Sequence, residues 1–176
     1  MNRSERLDFT EFFAAESAPL LRMCWALTLD REQARDVAQE TMARAWRDWD
    51  RLGHVDPEVA EDAGPRSWCR AVALNLVRGN WRRRRTELAY VPPVAEPAGL
   101  AAADLDLRDA LGKLSVRQRE AVVLHHLLDL SVATCAELMG LGESTVKEHL
   151  QRGRTQLSAL LGVHAAGPNP IEGDPT

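Results

Sequence analysis

The 176-residue sequence predicts an all-α chain of two small helical domains joined by a flexible linker. Apolar residues recur every three or four positions on both sides of one breaker-rich stretch, the period of helices with one buried face. That stretch, Thr86 to Ala103, holds Pro92, Pro93, Pro97 and Gly99 among Ala and Val with few charges. It cannot continue a helix and has little to pack with. Capping signatures open several of the flanking segments. The boundaries expected on this basis are a first block over 1–88, a linker over 89–103, a second block over 104–162 and a tail over 163–176. Pro168, Pro170 and Pro175 mark the tail as disordered.

The first block opens with Phe9, Phe12, Phe13, Leu20, Leu21, Cys24 and Leu27, mostly at helical spacing, with Pro19 expected to break or kink the helix. Asp30-Arg31-Glu32-Gln33 resembles a capping box with Asp as the cap. Ala34, Val37, Ala38, Thr41, Met42, Ala45, Trp46 and Trp49 follow as one buried face. The opposite face shows Arg35, Asp36, Gln39, Glu40, Arg44 and Arg47, a pattern that solvation alone also accounts for. An acidic loop follows, and Gly64-Pro65 starts a third helix, with Pro in the first turn where its missing N–H costs nothing. Its inner stripe is read as Trp68, Ala71, Val72, Asn75 and Leu76, and its end as Gly79-Asn80-Trp81 before four consecutive Arg.

In the second block, Leu105 to Leu114 makes a short helix. Ser115-Val116-Arg117-Gln118 is a capping box opening the next, with Val122, Val123, Leu127 and Leu128 expected inside. Ser131 caps a helix from Val132 to Met139, which Gly140 stops, and Ser144 to Leu161 forms a last helix with Val146, Leu150 and Leu157 inward. A short helix with a small residue at its middle (Ala136), a Gly-containing turn and a longer polar helix describe a helix-turn-helix. The outward positions of the second helix are Ser144, Thr145, Lys147, Glu148, Gln151 and Arg152. These side chains can read base edges or hold phosphates. Helix pairs of this pattern also occur as plain structure.

Hydrophobic residues make up 45% and charged residues 27%, the composition of an ordinary globular chain. No apolar run approaches the ~20 residues that span a bilayer. The start, Met1 to Arg6, is polar and lacks the apolar stretch of a signal peptide. A cytoplasmic protein without membrane insertion is expected. Within a net charge of -4, the segment from Arg66 to Arg85 carries seven Arg and no acid. Such a concentrated field points to a specific anion such as phosphate. Arg82, Arg83, Arg84 and Arg85 exceed what a helix C-terminus needs of cations. Beside Trp81 they form the Arg-plus-aromatic combination of single-strand binders, although Trp81 also fits a core position. Cys24, Cys69 and Cys135 lack disulfide or zinc spacing and read as small buried hydrophobes in a reducing compartment. His125 and His126 lack ligand partners and read as structural. No phosphate-cradling Gly loop or nucleophile motif is present. No cofactor, no metal and no enzymatic activity are expected.

Four segments in order resemble the extracytoplasmic-function (ECF) class of bacterial sigma factors. They are Asp36-Val-Ala-Gln39-Glu40-Thr41-Met-Ala-Arg44-Ala-Trp46, then Trp68-Cys-Arg-Ala-Val-Ala-Leu-Asn75, then Leu114-Ser-Val-Arg-Gln118-Arg119-Glu120 with Leu130-Ser-Val-Ala, and Ser144-Thr145-Val146-Lys147. The resemblance implies that the first block is a region-two helical bundle and the second a region-four helix-turn-helix. It assigns Asp36, Gln39, Glu40 and Arg44 to core RNA polymerase. Asn75, Arg78, Trp81 and Arg82 to Arg85 fall to the minus-ten strand or adjacent duplex, and Ser144, Thr145, Lys147, Glu148, Gln151 and Arg152 to the minus-thirty-five element. Gly79 stands where the family often has Asp, Gly142 replaces the usual capping Ser, and the loop from Trp49 to Arg66 is longer and more acidic than usual.

The partners implied are core bacterial RNA polymerase and promoter DNA, with a chain monomeric when free. The open linker would also suit clamping by an anti-sigma factor. The competing function is a helix-turn-helix regulator that binds duplex DNA alone, without polymerase, as a dimer on paired half-sites. A third is an adaptor that no longer opens DNA.

Overall fold

The computed structural model describes residues 8–53, 64–86 and 102–162, with helix placement alone at 80–86 and 102–105. The described residues form helices without strands: α1 (Phe9–Thr28), α2 (Arg31–Arg47), α3 (Trp49–Leu52), α4 (Pro65–Thr86), α5 (Ala102–Lys113), α6 (Val116–Val122), a π turn (Val123–Leu127), α7 (Val132–Met139) and α8 (Glu143–Leu161). Of the expected linker at 89–103, residues 89–101 lie outside the described residues, whereas Ala102 and Ala103 already belong to α5; the expected tail at 163–176 and the acidic loop from 54 to 63 also lie outside them.

In the first block α1, α2 and α4 pack on one another. Asp8 caps α1, accepting from the Thr10 N–H at 2.9 Å. The expected interruption at Pro19 does not occur, and α1 continues through it as one helix. Pro19 lacks the N–H of one intrahelical bond. Phe12 on one side and Leu20, Met23 and Cys24 on the other are all buried, and their burial offsets that loss. Asp30 caps α2 by accepting from the N–H groups of Glu32 and Gln33.

The buried face of α2 is Gln33, Ala34, Val37, Thr41, Met42 and Ala45, which differs from the expected stripe at its end. Trp46 is 64% exposed, whereas Trp49 starts α3 and is buried. The break after Arg47 redirects the chain so that only the second of these indoles turns inward. The stripe on α4 is also displaced from the predicted one. Cys69, Ala73, Leu74 and Val77 are buried, with Trp68 and Leu76 half-buried, and Asn75 faces outward. The helix continues through Gly79 and the four Arg instead of ending there.

In the second block Ser115 and Gln118 make a reciprocal capping box. Ser115 Oγ accepts from the Gln118 N–H and Gln118 Oε1 from the Ser115 N–H. The π turn then places one more residue in the turn than an α-helix holds, which rotates the following side chains. Leu124 is fully buried and Leu127 is 47% exposed, the reverse of the regular-helix expectation for Leu127. Ser131 caps α7 by accepting from the Thr134 N–H at 3.0 Å. Gly140 ends it in the left-handed conformation (φ 64°) that glycine adopts without steric cost.

The two blocks are in contact and share one buried cluster, which runs from Phe12 through Leu74 to Leu150. The contact is polar as well as apolar. Arg119, on α6, is buried; its Nε donates to Leu111 O at 3.0 Å and its Nη1 to Leu27 O at 3.1 Å. Its Nη2 reaches Leu114 O and Gly112 O. One guanidinium thus satisfies the orphan carbonyls that end both α1 and α5. Arg108 Nε donates to Leu29 O at 3.2 Å. Burial pushes the Arg119 pKa below its ordinary value, and the neighbouring Glu120 carboxylate opposes that shift.

Candidate nucleic-acid interface

Helices α7 and α8 meet as a helix-turn-helix. Buried Ala136 and Met139 lie on one side, and Val146 and Leu150 on the other. Gly153 permits the close approach of α8 to α6, since a Cβ there would stand 2.8 Å from Val122 Cγ2. With its apolar edge held this way, α8 presents Ser144, Lys147, Glu148, Gln151 and Arg152 to solvent and Thr145 half-buried. Two i,i+4 ion pairs order this surface: Lys147 Nζ to Glu143 Oε2 at 3.6 Å, and Arg152 Nη2 to Glu148 Oε1. Gly142 is the N-cap and makes no side-chain cap bond to the first N–H groups of α8.

On α4, Asn75 is exposed. Arg78 is brought elsewhere, forking onto Glu120 of α6 with Nε to Oε1 at 2.8 Å and Nη2 to Oε2 at 2.9 Å. Trp81 and Arg82 to Arg85 lie on the last turns of α4, and their side chains are outside the described residues. At the other end of α4, Arg66 pairs with Glu16 of α1 at 2.7 Å.

The polar face of α2 carries Asp36, Gln39 and Glu40 exposed, with Arg44 half-buried and its Nε donating to Glu40 Oε1 at 2.7 Å. Sequence reasoning missed the aromatic patch beside it. The Trp46 ring stands edge-on to Phe9 at 4.9 Å, and Phe9 lies 6.0 Å from Phe13, which is also exposed. Gln39, Met42, Trp46 and Phe13 line one shallow depression. The signal was in the spacing: Gln39 and Trp46 are two helical turns apart, hence on one face.

A larger groove of 810 Å³ runs between the blocks, walled by Leu21, Trp25, Leu107 and Leu157 and bordered by Arg22, Arg31, Arg35 and Arg154. His125 Nδ1 lies 2.6 Å from Leu130 O. The His126 pKa is lowered, first by burial and then by His125 and Arg154. Among the described residues no group of His, Cys, Asp and Glu could hold a metal ion, and no helix is long and apolar enough to cross a membrane. Cys24, Cys69 and Cys135 are buried and form no disulfide. Burial pushes the thiols of Cys24 and Cys69 up to about 12, which suits packing and not nucleophilic chemistry.

Residues 104–157 match the family model of Sigma-70, region 4. The chain is 29% identical over 169 residues to the ECF RNA polymerase sigma factor SigM of Mycobacterium tuberculosis, covering 94% of this chain and 83% of that protein. It is 31% identical over 159 residues to the ECF RNA polymerase sigma factor EcfG of Rhodopseudomonas palustris, covering 85% and 83%. Among solved structures it resembles the sigma factor RpoE in complex with the anti-sigma factor NepR from Bartonella quintana. That match has a TM-score of 0.74 and 26% identity, covering 89% of this chain and 98% of that one.

Proposed function

The chain belongs to the ECF family of RNA polymerase sigma factors, and from that premise we propose which of its residues carry each part of promoter-specific initiation. The exposed polar face of α8 carries the reading. Ser144, Thr145, Lys147, Glu148, Gln151 and Arg152 enter the major groove of the minus-thirty-five element. There the paired Lys147 and Arg152 exchange their carboxylates for phosphates or base edges. Asn75 and Arg78, continued by Trp81 and Arg82 to Arg85, hold the minus-ten strand. Asp36, Gln39, Glu40 and Arg44 grip core polymerase, and Trp46 and Phe13 add the apolar anchor that a durable interface needs.

The division of labour is region two over 1–88, a linker over 89–103 and region four over 104–162. The chain acts in the cytoplasm as a non-catalytic factor, because the bond-making chemistry is the polymerase's. An anti-sigma factor is a fitting partner. The interblock groove offers apolar walls with an Arg border, suited to an acidic amphipathic segment.

Reconstitution with core bacterial polymerase and genomic promoter fragments tests the assignment. Specific start sites should appear. They should be lost in Lys147→Ala/Arg152→Ala, and in a chain with Arg82 to Arg85 replaced by Ala. Tight duplex binding without core, and no binding to core, would instead establish the free regulator.

A further inference from the structure

Glu120 is the most deeply buried carboxylate among the described residues, its side chain 3% exposed, and both of its oxygens are occupied by arginines. Arg78 of the first block forks onto it, and Arg117 Nη1 adds a bond to Oε2 at 2.8 Å. A carboxylate taken out of water requires such partners. The Arg78 fork joins positions 42 residues apart across the two blocks. The other cross-block bonds have the same character. The last turn of α1 has no basic residue of its own. Its terminal carbonyls, the negative end of the helix dipole, receive Arg119 and Arg108 from the second block.

The Nε–Nη2 edge of a guanidinium is a planar fork that matches a carboxylate and a phosphate equally well, and it holds one of them at a time. In the closed arrangement the fork of Arg78 is spent on Glu120, and its side chain is only 18% exposed. We propose that Glu120 is an internal competitor for the promoter phosphate that Arg78 holds, so that the free chain rests closed and self-inhibited. Separating the blocks is then what arms α4. The inference rests on the assignment of Arg78 to the minus-ten strand and adds the device that regulates it. Inhibition is confined to α4, because the reading face of α8 stays exposed in the closed form. Apparent affinity falls by the fraction of molecules that are competent, so a chain open about one time in ten binds a single strand about tenfold more weakly than an open one.

The test uses the full chain, anisotropy of a fluorescent mixed-sequence DNA single strand of about 20 nucleotides, and small-angle scattering for compactness. Glu120→Gln keeps the shape of the carboxylate and removes its charge. Arg108→Ala cuts one cap of α1 and leaves Glu120 in place, so it carries the test if the buried variant fails to fold by circular dichroism. Both variants should enlarge the radius of gyration and tighten strand binding by about tenfold, and Arg78→Ala should abolish the gain in either background. Enlargement without tighter binding overturns the proposal, and so does tighter binding that persists without Arg78. If Arg78→Ala leaves binding unchanged in the enlarged Arg108→Ala chain, the strand assignment of Arg78 itself fails and the proposal falls with it. If Arg78→Ala weakens binding there while the single variants gain nothing over the parent chain, the strand assignment stands and the latch is refuted.

Discussion

Replacing Gly153 by alanine adds one methyl group where α8 comes nearest to α6. In an isolated helix the change is favourable by about 1 kcal/mol, because glycine is the poorer helix former. Here the new Cβ would stand 2.8 Å from Val122 Cγ2 and 3.6 Å from both Gln118 Cβ and Gln118 O. Val122 is buried and β-branched, so its methyl cannot swing aside cheaply. Overpacking of this kind costs about 1–3 kcal/mol. The net expectation for Gly153→Ala is destabilisation of about 0–2 kcal/mol, the difference between those two magnitudes. A sharper form uses Val122→Ala, which removes the obstructing methyl. In that background the clash disappears, and Gly153→Ala should become stabilising by about 1 kcal/mol. Urea unfolding followed by far-ultraviolet circular dichroism measures all four chains. A stabilising Gly153→Ala in the parent chain, or effects that simply add, would refute the reasoning.

Three other perturbations have definite outcomes. Trp46→Ala should leave the helical signal and the urea midpoint unchanged, since the ring is exposed, yet weaken binding to core polymerase by at least about tenfold, a hot-spot-sized loss; unaltered binding would remove the aromatic patch from that interface. Gly142→Ser places its Cβ 3.9 Å from Ser144 Oγ at an ordinary φ of -74°. It should raise stability by a few tenths of a kcal/mol by supplying the missing cap, and a lowered midpoint would count against the cap geometry. Cys24 and Cys69 have pKa values raised from 9.0 to about 12 in the folded chain. Their contribution to stability is therefore full below pH 9 and is lost as pH rises from 9 toward 12, because the unfolded thiols ionise first. The double Ser variant should show a shallower alkaline loss between those limits, and an identical slope would disprove the burial effect.

Local chemistry was the legible part of this chain. Asp30, Ser115 with Gln118, Ser131 and Gly140 each mark a helix end through bonds made within a few residues, and each does so in the structure. The outward face of α8 was readable for the same reason, because its period is that of one straight helix. Illegible were the features that depend on what lies opposite. Periodicity put Trp46 inside, since an apolar stripe does not say where its partner helix stops. A regular period put Leu127 inside, and the π turn breaks that period. Asn75 was assigned to the wrong side of α4 by one position. The fork between Arg78 and Glu120 leaves no local mark, because each residue alone resembles a solvated charge.

The π turn from Val123 to Leu127 also fixes something about tolerated genetic change. An α-helix advances 100° and 1.5 Å with each residue. Because the π turn holds one residue more than a turn of α-helix, deleting one residue from it would return it to regular helix and leave α7 and α8 near their present orientation, whereas adding a residue to α6 would swing both by roughly 100° about its axis. After such an insertion the reading face would point away from the groove it serves, although every side chain in it survived. This segment can therefore lose a codon more safely than it can gain one, so here reading depends on the length of the chain more than on its letters.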